Sequence, residues 1–265
     1  MDVRQRLGRP LKVAVLCSHR APGLVPLLNQ DRRRGRDYEI VCCVSSSNTF
    51  IEEVRVERRG VTCVPHSIRH FCRSRGVELG NLEARVAYDQ VTVDLLRPFN
   101  PDVLLLDGYL LVLTEPVLNA YDGRILNIHH SDLLLRHALG GTRYPGLRAV
   151  RDAMFAGETE TRATAHVVTE RLDDGPVLLR SWSFPIPPVA QWARERDAND
   201  VVKAVAWVHQ EWMLREAWPR MLERTIELAC RACDDPRTPL AVQRLGQWLL
   251  QPDGALAPAS ELVAV

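Results

Sequence analysis

The sequence predicts an α/β fold: a mostly parallel, doubly wound (Rossmann-like) sheet with helices on both faces and a C-terminal helical extension. Short apolar runs alternate with segments of helix length, which is typical of repeated strand–helix–strand units. The run 103–106, after Pro101 and Asp102, is apolar throughout, as expected for a central strand buried on both faces. With 265 residues, 46% of them hydrophobic, the chain can bury one sizeable core.

Hydrophobic periodicity places the individual elements. Apolar runs predict strands at 11–17, 38–44, 61–64, 103–106, 124–128, 163–169 and 177–184. Helical spacing predicts helices at 25–34, 81–96, 116–121, 146–157, 199–231 and 239–250. The sequence P-I-P-P at 185–188 indicates a linker or a sheet edge. We therefore expect an N-terminal arm (1–10), an α/β domain (11–188), a helical extension packed on it (189–250) and a flexible tail (251–265).

Composition argues against several classes of partner. The charges of the 34 basic and 33 acidic residues nearly cancel, so the composition does not indicate a nucleic-acid-binding surface. No apolar run approaches the ~20 residues that cross a bilayer, and the first ten residues lack the apolar core of a signal peptide. We expect a cytoplasmic protein with seven reduced cysteines and no membrane partner. Cys230 and Cys233 form a C-x-x-C motif without a second pair at zinc-site spacing, so we expect no metal.

The segment 124–131, R-I-L-N-I-H-H-S, contains the strongest functional candidates. Alternate side chains of a strand share a side, so Asn127 and His129 should emerge together at its carboxyl end, where open α/β sheets bind ligands. Asp173, in L-D-D-G-P, could complete a catalytic trio. Taken singly, however, a histidine after a strand is more often a packing residue than a catalyst, and L-D-D-G-P alone is an ordinary turn.

Four ordered motifs resemble the formyltransferases that use 10-formyltetrahydrofolate, and are most similar to the phosphoribosylglycinamide (glycinamide ribonucleotide) type. They are P-D-V-L-L-L-D-G-Y, G-R-I-L-N-I-H-H-S, Y-P-G-L-R-A-V-R-D-A and L-D-D-G-P-V-L, within a resemblance that covers roughly 11–219. The resemblance implies 10-formyltetrahydrofolate as co-substrate and Asn127, His129 and Asp173 as catalytic residues. These residue types suit formyl transfer to a primary amine. The amide can stabilise an oxyanion, the imidazole can move a proton, and the carboxylate favours the charged imidazole.

The resemblance also implies a folate pocket. Arg85 stands where the family has an arginine that meets the folate tail, although a surface arginine on an amphipathic helix explains it equally well. His166 stands at a histidine of the family pattern. The remaining implied folate contacts are the pterin-holding backbone at Leu110, Leu111, Val112 and Leu113, the residue Asn127, and the closing loop of Thr169, Glu170, Arg171, Leu172 and Asp173.

The acceptor side departs from the family pattern. A glycine-, serine- and asparagine-rich loop cradles the ribose phosphate in the purine enzymes, whereas residues 18–24 here read S-H-R-A-P-G-L, and Pro22 has no N–H to donate. His19 and Arg20 could still bind an anion through their side chains. His130 replaces the proline that usually follows the family's histidine, and Arg143 ends a connection about eight residues longer than usual, so both could also contact the acceptor. We therefore expect a small primary amine other than the purine precursor.

Three alternatives remain open. Water could replace the amine, giving a formyltetrahydrofolate deformylase, or the chain could bind folate without catalysis. A methionyl-tRNA formyltransferase is disfavoured by the flat charge and the short C-terminal region. The sequence leaves open whether the chain forms a homodimer, and whether Trp207, Trp212 and Trp218 form a binding platform or pack in the core.

Overall fold

A computed structural model describes residues 3–30 and 37–259. The strands are β1 (Leu11–Cys17), β2 (Tyr38–Ser45), β3 (Thr62–Pro65), β4 (Val103–Leu106), β5 (Ile125–His129), β6 (Glu160–Thr161), β7 (Thr164–Val167), β8 (Val177–Arg180), β9 (Phe184–Pro185), β10 (Trp248–Leu250) and β11 (Leu256–Pro258). The helices are α1 (Val3–Leu7), α2 (Leu24–Asn29), α3 (Glu53–Arg58), α4 (Ile68–Ser74), α5 (Leu82–Leu96), α6 (Glu115–Ala120), α7 (Ala149–Ala156), α8 (Pro188–Arg194), α9 (Asn199–Glu216) and α10 (Trp218–Ala232). Short 3-10 turns occupy Arg97–Phe99 and Val242–Arg244.

The main sheet has the order β11–β10–β8–β7–β5–β4–β1–β2–β3. The pairs from β3 to β5 are parallel, whereas β7 is antiparallel to both β5 and β8. Strand order reverses between β1 and β4, which opens a crevice at their carboxyl ends. The predicted doubly wound, mostly parallel sheet is confirmed.

Helices cover both faces because consecutive residues of the central strand point in opposite directions. Leu105 of β4 packs in one apolar cluster with Trp218 and Met221 of α10, whereas Leu104 packs in the other cluster with Val117 of α6. All four residues of β4 are buried, which agrees with the uninterrupted apolar run. Local capping helps to define the helices; for example, the Asn81 side chain accepts a hydrogen bond from the Ala84 amide at the start of α5.

The C-terminal region differs most from the sequence-based expectations. The single helix predicted at 199–231 is two helices, because Pro219 lacks an N–H and its ring cannot continue the helix past Ala217. The helix predicted at 239–250 is wrong: only a 3-10 turn forms, Gly246 adopts a φ of 67°, and β10 then pairs with the free edge of β8. The segment expected to be a tail contributes β11, antiparallel to β10, and residues 260–265 lie outside the described part.

Other boundaries shift by a few residues. Helix α2 ends at Asn29, and the rest of the helix predicted to 34 falls on residues 31–36, outside the described part. The strand expected at 177–184 stops at Arg180, and 184–185 pairs instead with β6, so the proline-rich segment begins at a sheet edge. The short helices α3 and α4 were not predicted. The division into arm, α/β domain, helical extension and tail stays a prediction.

Candidate active site

A cavity of about 300 Å³ lies beside the carboxyl ends of β4 and β5. The predicted trio, Asn127, His129 and Asp173, lines it. Asn127 and His129 belong to β5, and Asp173 belongs to the turn between β7 and β8. The antiparallel pairing of β5 with β7 sets Asn127 opposite His166, which also lines the cavity. The fold therefore brings together side chains that are 46 residues apart in sequence.

His166 orients the amide of Asn127. Burial and the neighbouring His129 lower the pKa of His166 to about 4, although Asp173 opposes the shift, so the ring is neutral at physiological pH. Its Nδ1 donates to the Val167 carbonyl at 3.0 Å, which leaves Nε2 to accept from Asn127 Nδ2 at 3.2 Å. One amide hydrogen of Asn127 is thereby engaged, and the second remains available at the cavity wall.

His129 lies between two hydrogen-bond acceptors. Its Nε2 is 2.9 Å from the Tyr144 carbonyl oxygen, and its Nδ1 is 3.5 Å from Asp173 Oδ2. Both His129 and Asp173 are buried. An imidazolium ring can donate toward both oxygens, whereas a neutral ring would turn one nitrogen lone pair toward an oxygen. Both ring nitrogens of His129 therefore face oxygen atoms of the protein.

The turn that carries Asp173 depends on two close backbone approaches. Asp173 Oδ2 accepts a hydrogen bond from the Gly146 amide at 2.7 Å, and Asp173 itself adopts a left-handed φ of 50°. A Cβ at Gly175 would lie 1.8 Å from the Val167 carbonyl oxygen, so only glycine fits there. The side chains of Arg136 and Asp174 form an ion pair that ties the long 132–143 connection to the same turn.

The segment predicted to hold the pterin and most of the predicted closing loop line the same cavity. The lining includes Leu110, Leu111, Val112 and Leu113, together with Thr169, Glu170 and Leu172. Arg171 does not line it; its side chain is 85% exposed and lies 3.8 Å from Asp174.

Arg85 lies behind the cavity wall rather than in it. Its guanidinium donates to the Val112 carbonyl at 2.7 Å and lies 3.6 Å from the buried carboxylate of Asp89. Asp89 in turn accepts from the Thr114 amide at 2.6 Å and from its hydroxyl at 2.8 Å. In this conformation Arg85 and Asp89 support the 110–114 segment from outside.

Of the side chains predicted to meet the acceptor, the structure brings only His130 to the cavity. His19 contacts the hydroxyls of Ser47 and Thr49, at 3.0 and 2.8 Å. Arg20 pairs with Glu211 at 2.8 Å and Arg143 with Glu158 at the same distance, so both are engaged elsewhere.

His130 instead stacks on Trp218, with ring centroids 4.2 Å apart and planes 24° from parallel. Burial and the nearby His129 lower the pKa of His130 to about 3, so this ring is neutral. Trp218 and Gln210, contributed by α10 and α9, complete this end of the cavity. The sequence pattern did not identify Gln210 or assign Trp218 to the site, because no local motif connects helices 80 residues downstream to β5.

Two further properties concern the described residues as a whole. Within residues 3–30 and 37–259, no helix is long and apolar enough to cross a membrane. Over the same ranges, no three His, Cys, Asp or Glu side chains are clustered so that they could hold a metal ion.

Comparison with known proteins gives concordant results. A family model described as formyl transferase matches residues 11–214. The phosphoribosylglycinamide formyltransferase of Escherichia coli (strain K12) is 36% identical over 99 residues, which are 37% of this chain and 43% of that protein. The Bacillus subtilis (strain 168) enzyme of the same name is 31% identical over 123 residues, 46% of this chain and 53% of that protein. These alignments thus span about half the length of each relative.

Solved structures share the fold. Glycinamide ribonucleotide transformylase 1 from Symbiobacterium toebii superposes with a TM-score of 0.56 at 23% identity, over 78% of this chain and 87% of that one. A formyltetrahydrofolate deformylase from Pseudomonas syringae pv. tomato str. DC3000 gives a TM-score of 0.55 at 22% identity, over 78% of this chain and 62% of that one. Since the family model covers most of the sequence, this chain belongs to the formyl transferase family.

Proposed function

We propose that this protein transfers the formyl group of 10-formyltetrahydrofolate to a primary amine of a small acceptor, with no metal. The observation that carries the proposal is the meeting of Asn127, His129 and Asp173 in one cavity at the carboxyl end of β5. Family membership and the similarity to phosphoribosylglycinamide formyltransferases add support.

The wall formed by residues 110–113 suits a folate ring. Within the described part of the chain, the backbone amides of Leu111, Val112 and Leu113 have no hydrogen-bond partner. Free donors and carbonyls along an irregular segment can match the alternating donors and acceptors of a flat heterocycle, while apolar side chains cover its faces. A bound folate would supply the formyl carbon that the acceptor amine attacks.

The trio then divides the chemistry. Asn127 offers its free amide hydrogen to the oxygen that becomes negatively charged, a stabilisation worth about 3 kcal/mol in comparable sites. His129 takes the proton that leaves the amine and passes it to the folate nitrogen, whose bond to the formyl carbon breaks as tetrahydrofolate departs. Asp173, 3.5 Å from His129 Nδ1, stabilises the positive charge on that ring.

The test is tetrahydrofolate release with a panel of primary amines, measured for the full chain and for Asn127→Ala and His129→Ala. Loss of one oxyanion donor or of the proton carrier should slow turnover about 100-fold or more. His70→Ala is the matched control, because His70 is exposed and lies away from the cavity. Undiminished turnover in either cavity variant would refute the assigned roles.

Hydrolysis is the second candidate, favoured by the similarity to a deformylase fold. Formate release without any added amine, abolished in Asn127→Ala, would establish it in place of transfer. Tight binding of 5-formyltetrahydrofolate with neither formate release nor amine formylation would instead identify a binding protein.

We also propose a cytoplasmic location, in keeping with the free state of all seven cysteines. A homodimer is proposed as well, and light scattering of the purified chain at several concentrations tests it.

A further inference from the structure

The turn between β1 and α2 (residues 18–24) stands at the reversal of strand order, where doubly wound folds commonly present backbone amides to an anion. Here the chain's own carboxylates accept from the three amides between Ala21 and Leu24. Asp107 accepts from the Gly23 amide at 3.0 Å and from the Leu24 amide at 2.8 Å. Glu52 accepts from the Ala21 amide at 3.0 Å, and Pro22 has no amide hydrogen. From Ala21 to Leu24, no N–H remains for an external anion.

Asp107 is held in this position by its surroundings. It directly follows β4, is fully buried, and accepts a third donor, Trp218 Nε1, at 3.0 Å. The turn is also tightly packed: a Cβ at Gly108 would lie 2.7 Å from the Arg20 carbonyl oxygen, and one at Gly23 would lie 3.0 Å from Leu222. A phosphate could reach these amides only by displacing Asp107 and reopening the packed turn.

The described part of the cavity lining supplies no permanently cationic side chain in place of these amides. None of the described residues that line the cavity is a lysine or an arginine. The arginine of the turn, Arg20, already pairs with Glu211. The cavity lining includes His130, which stacks on Trp218 and is neutral, together with Gln210. A phosphate dianion placed there would lose its hydration without gaining a counter-charge.

We propose that the amine acceptor carries no phosphate group and lies against the neutral wall of His130, Trp218 and Gln210, since internal carboxylates fill the anion-binding turn. This proposal rests on the proposed formyl transfer. It assigns the acceptor to the class of unphosphorylated primary amines and separates this chain from enzymes that recognise a ribose phosphate.

Matched pairs of amines test the proposal directly. The full chain, with 10-formyltetrahydrofolate as donor, is assayed with amines and their phosphate monoesters, such as glucosamine against its 6-phosphate and ethanolamine against phosphoethanolamine. For any pair that reacts, kcat/KM should be at least about tenfold lower for the phosphorylated member, equivalent to about 1.4 kcal/mol. A phosphorylated member that reacts as fast or faster overturns the proposal.

Direct binding decides the same question when no amine in the panel reacts. Inorganic phosphate and phosphoethanolamine are titrated calorimetrically into the full chain, and 5-formyltetrahydrofolate is titrated separately. Dissociation constants above about 1 mM for both phosphate compounds support the proposal, and a value below about 1 mM for either overturns it. Failure of 5-formyltetrahydrofolate to bind would count against the proposed function alone, so the two failures are distinguishable.

The Arg20→Ala variant tests whether any phosphate binding occurs at the turn between β1 and α2. If the turn binds phosphate through this side chain, phosphate binding or the preference for a phosphorylated amine should disappear in the variant. The proposal expects the discrimination against phosphate to be the same in Arg20→Ala and in the unmodified chain, because Glu211 already neutralises the guanidinium.

Discussion

Asp107 should make the stability of this protein fall as the pH rises from the unfolded pKa of its carboxyl, 3.8, to the folded value of about 7. Burial raises the pKa of this carboxyl from the usual 3.8 to about 7, against the opposing effect of the amides of Leu24 and Gly23 and of Trp218 Nε1. Between these two values the unfolded chain has released the proton while the folded chain retains it. Rising pH therefore favours unfolding, and the full contribution is present only below the unfolded pKa.

The size of this stability change follows from the pH interval between the unfolded and folded pKa values of Asp107. Each pH unit changes the free energy of unfolding by about 1.4 kcal/mol per proton, so the interval from about pH 4.5 to 7 amounts to about 3 kcal/mol. Asp107→Asn keeps the side-chain size but removes the titration. The variant loses stability overall, because the NH2 group of an asparagine would face N–H donors that the two carboxyl oxygens of Asp107 accept from.

Urea unfolding at several pH values measures the difference between the unmodified chain and Asp107→Asn. That difference should shrink by about 3 kcal/mol as the pH rises from about 4.5 to 7. The aspartate Asp200, whose side chain is 97% exposed, provides the matched control variant Asp200→Asn. A difference that stays constant across the interval would show that Asp107 is ionised throughout, and the reasoning from burial would be refuted.

Three further changes test the packing around the site. Gly175→Ala should lower the free energy of unfolding by about 3 kcal/mol or prevent folding, whereas Gly80→Ala, with open space around its Cβ, should not; equal melting temperatures would contradict this. Arg85→Ala should lower the free energy of unfolding by about 3 kcal/mol, because it leaves the buried carboxylate of Asp89 without its ion-pair partner, and it should raise the KM for the folate. An unchanged KM would show that Arg85 does not hold the 110–114 segment in place for folate binding. Leu250→Ala should cost about 2–4 kcal/mol by urea unfolding and Leu139→Ala less than about 0.5, because Leu250 is fully buried and Leu139 fully exposed; similar costs would mean that β10 is not part of the core.

Local patterns predicted the central part of the fold well. Strands β1, β2, β4 and β5 lie within a residue or so of their expected positions, because the sequence of a buried parallel strand is a nearly continuous apolar run. Asn127 and His129 could be paired for the same local reason, two residues apart on one strand. The helix prediction for 239–250 was wrong because pairing with the available edge of β8 outweighed the helical spacing of the sequence.

The role of Asp107 could not be predicted, although it stands inside a recognised motif. Its three donors come from Gly23, Leu24 and Trp218, which lie 83 to 111 residues away along the chain. The neutral state of His130 likewise depends on burial and on the nearby His129, neither of which a sequence pattern expresses. The contacts of Arg20 and Arg143 with the acceptor stay predictions, and the sequence did not show that Glu211 and Glu158 pair with these arginines.

The sequence by itself determined the α/β class and the formyl transferase resemblance and predicted the catalytic trio, since each depends on residues close together in the chain or on ordered motifs. Tertiary structure alone decided what surrounds the trio. It set His166 against Asn127, placed Arg85 behind the 110–113 segment, and brought Asp107 and Glu52 to the amides of the turn after β1. These contacts join segments distant in sequence, and only packing of the whole chain specifies which donor meets which acceptor.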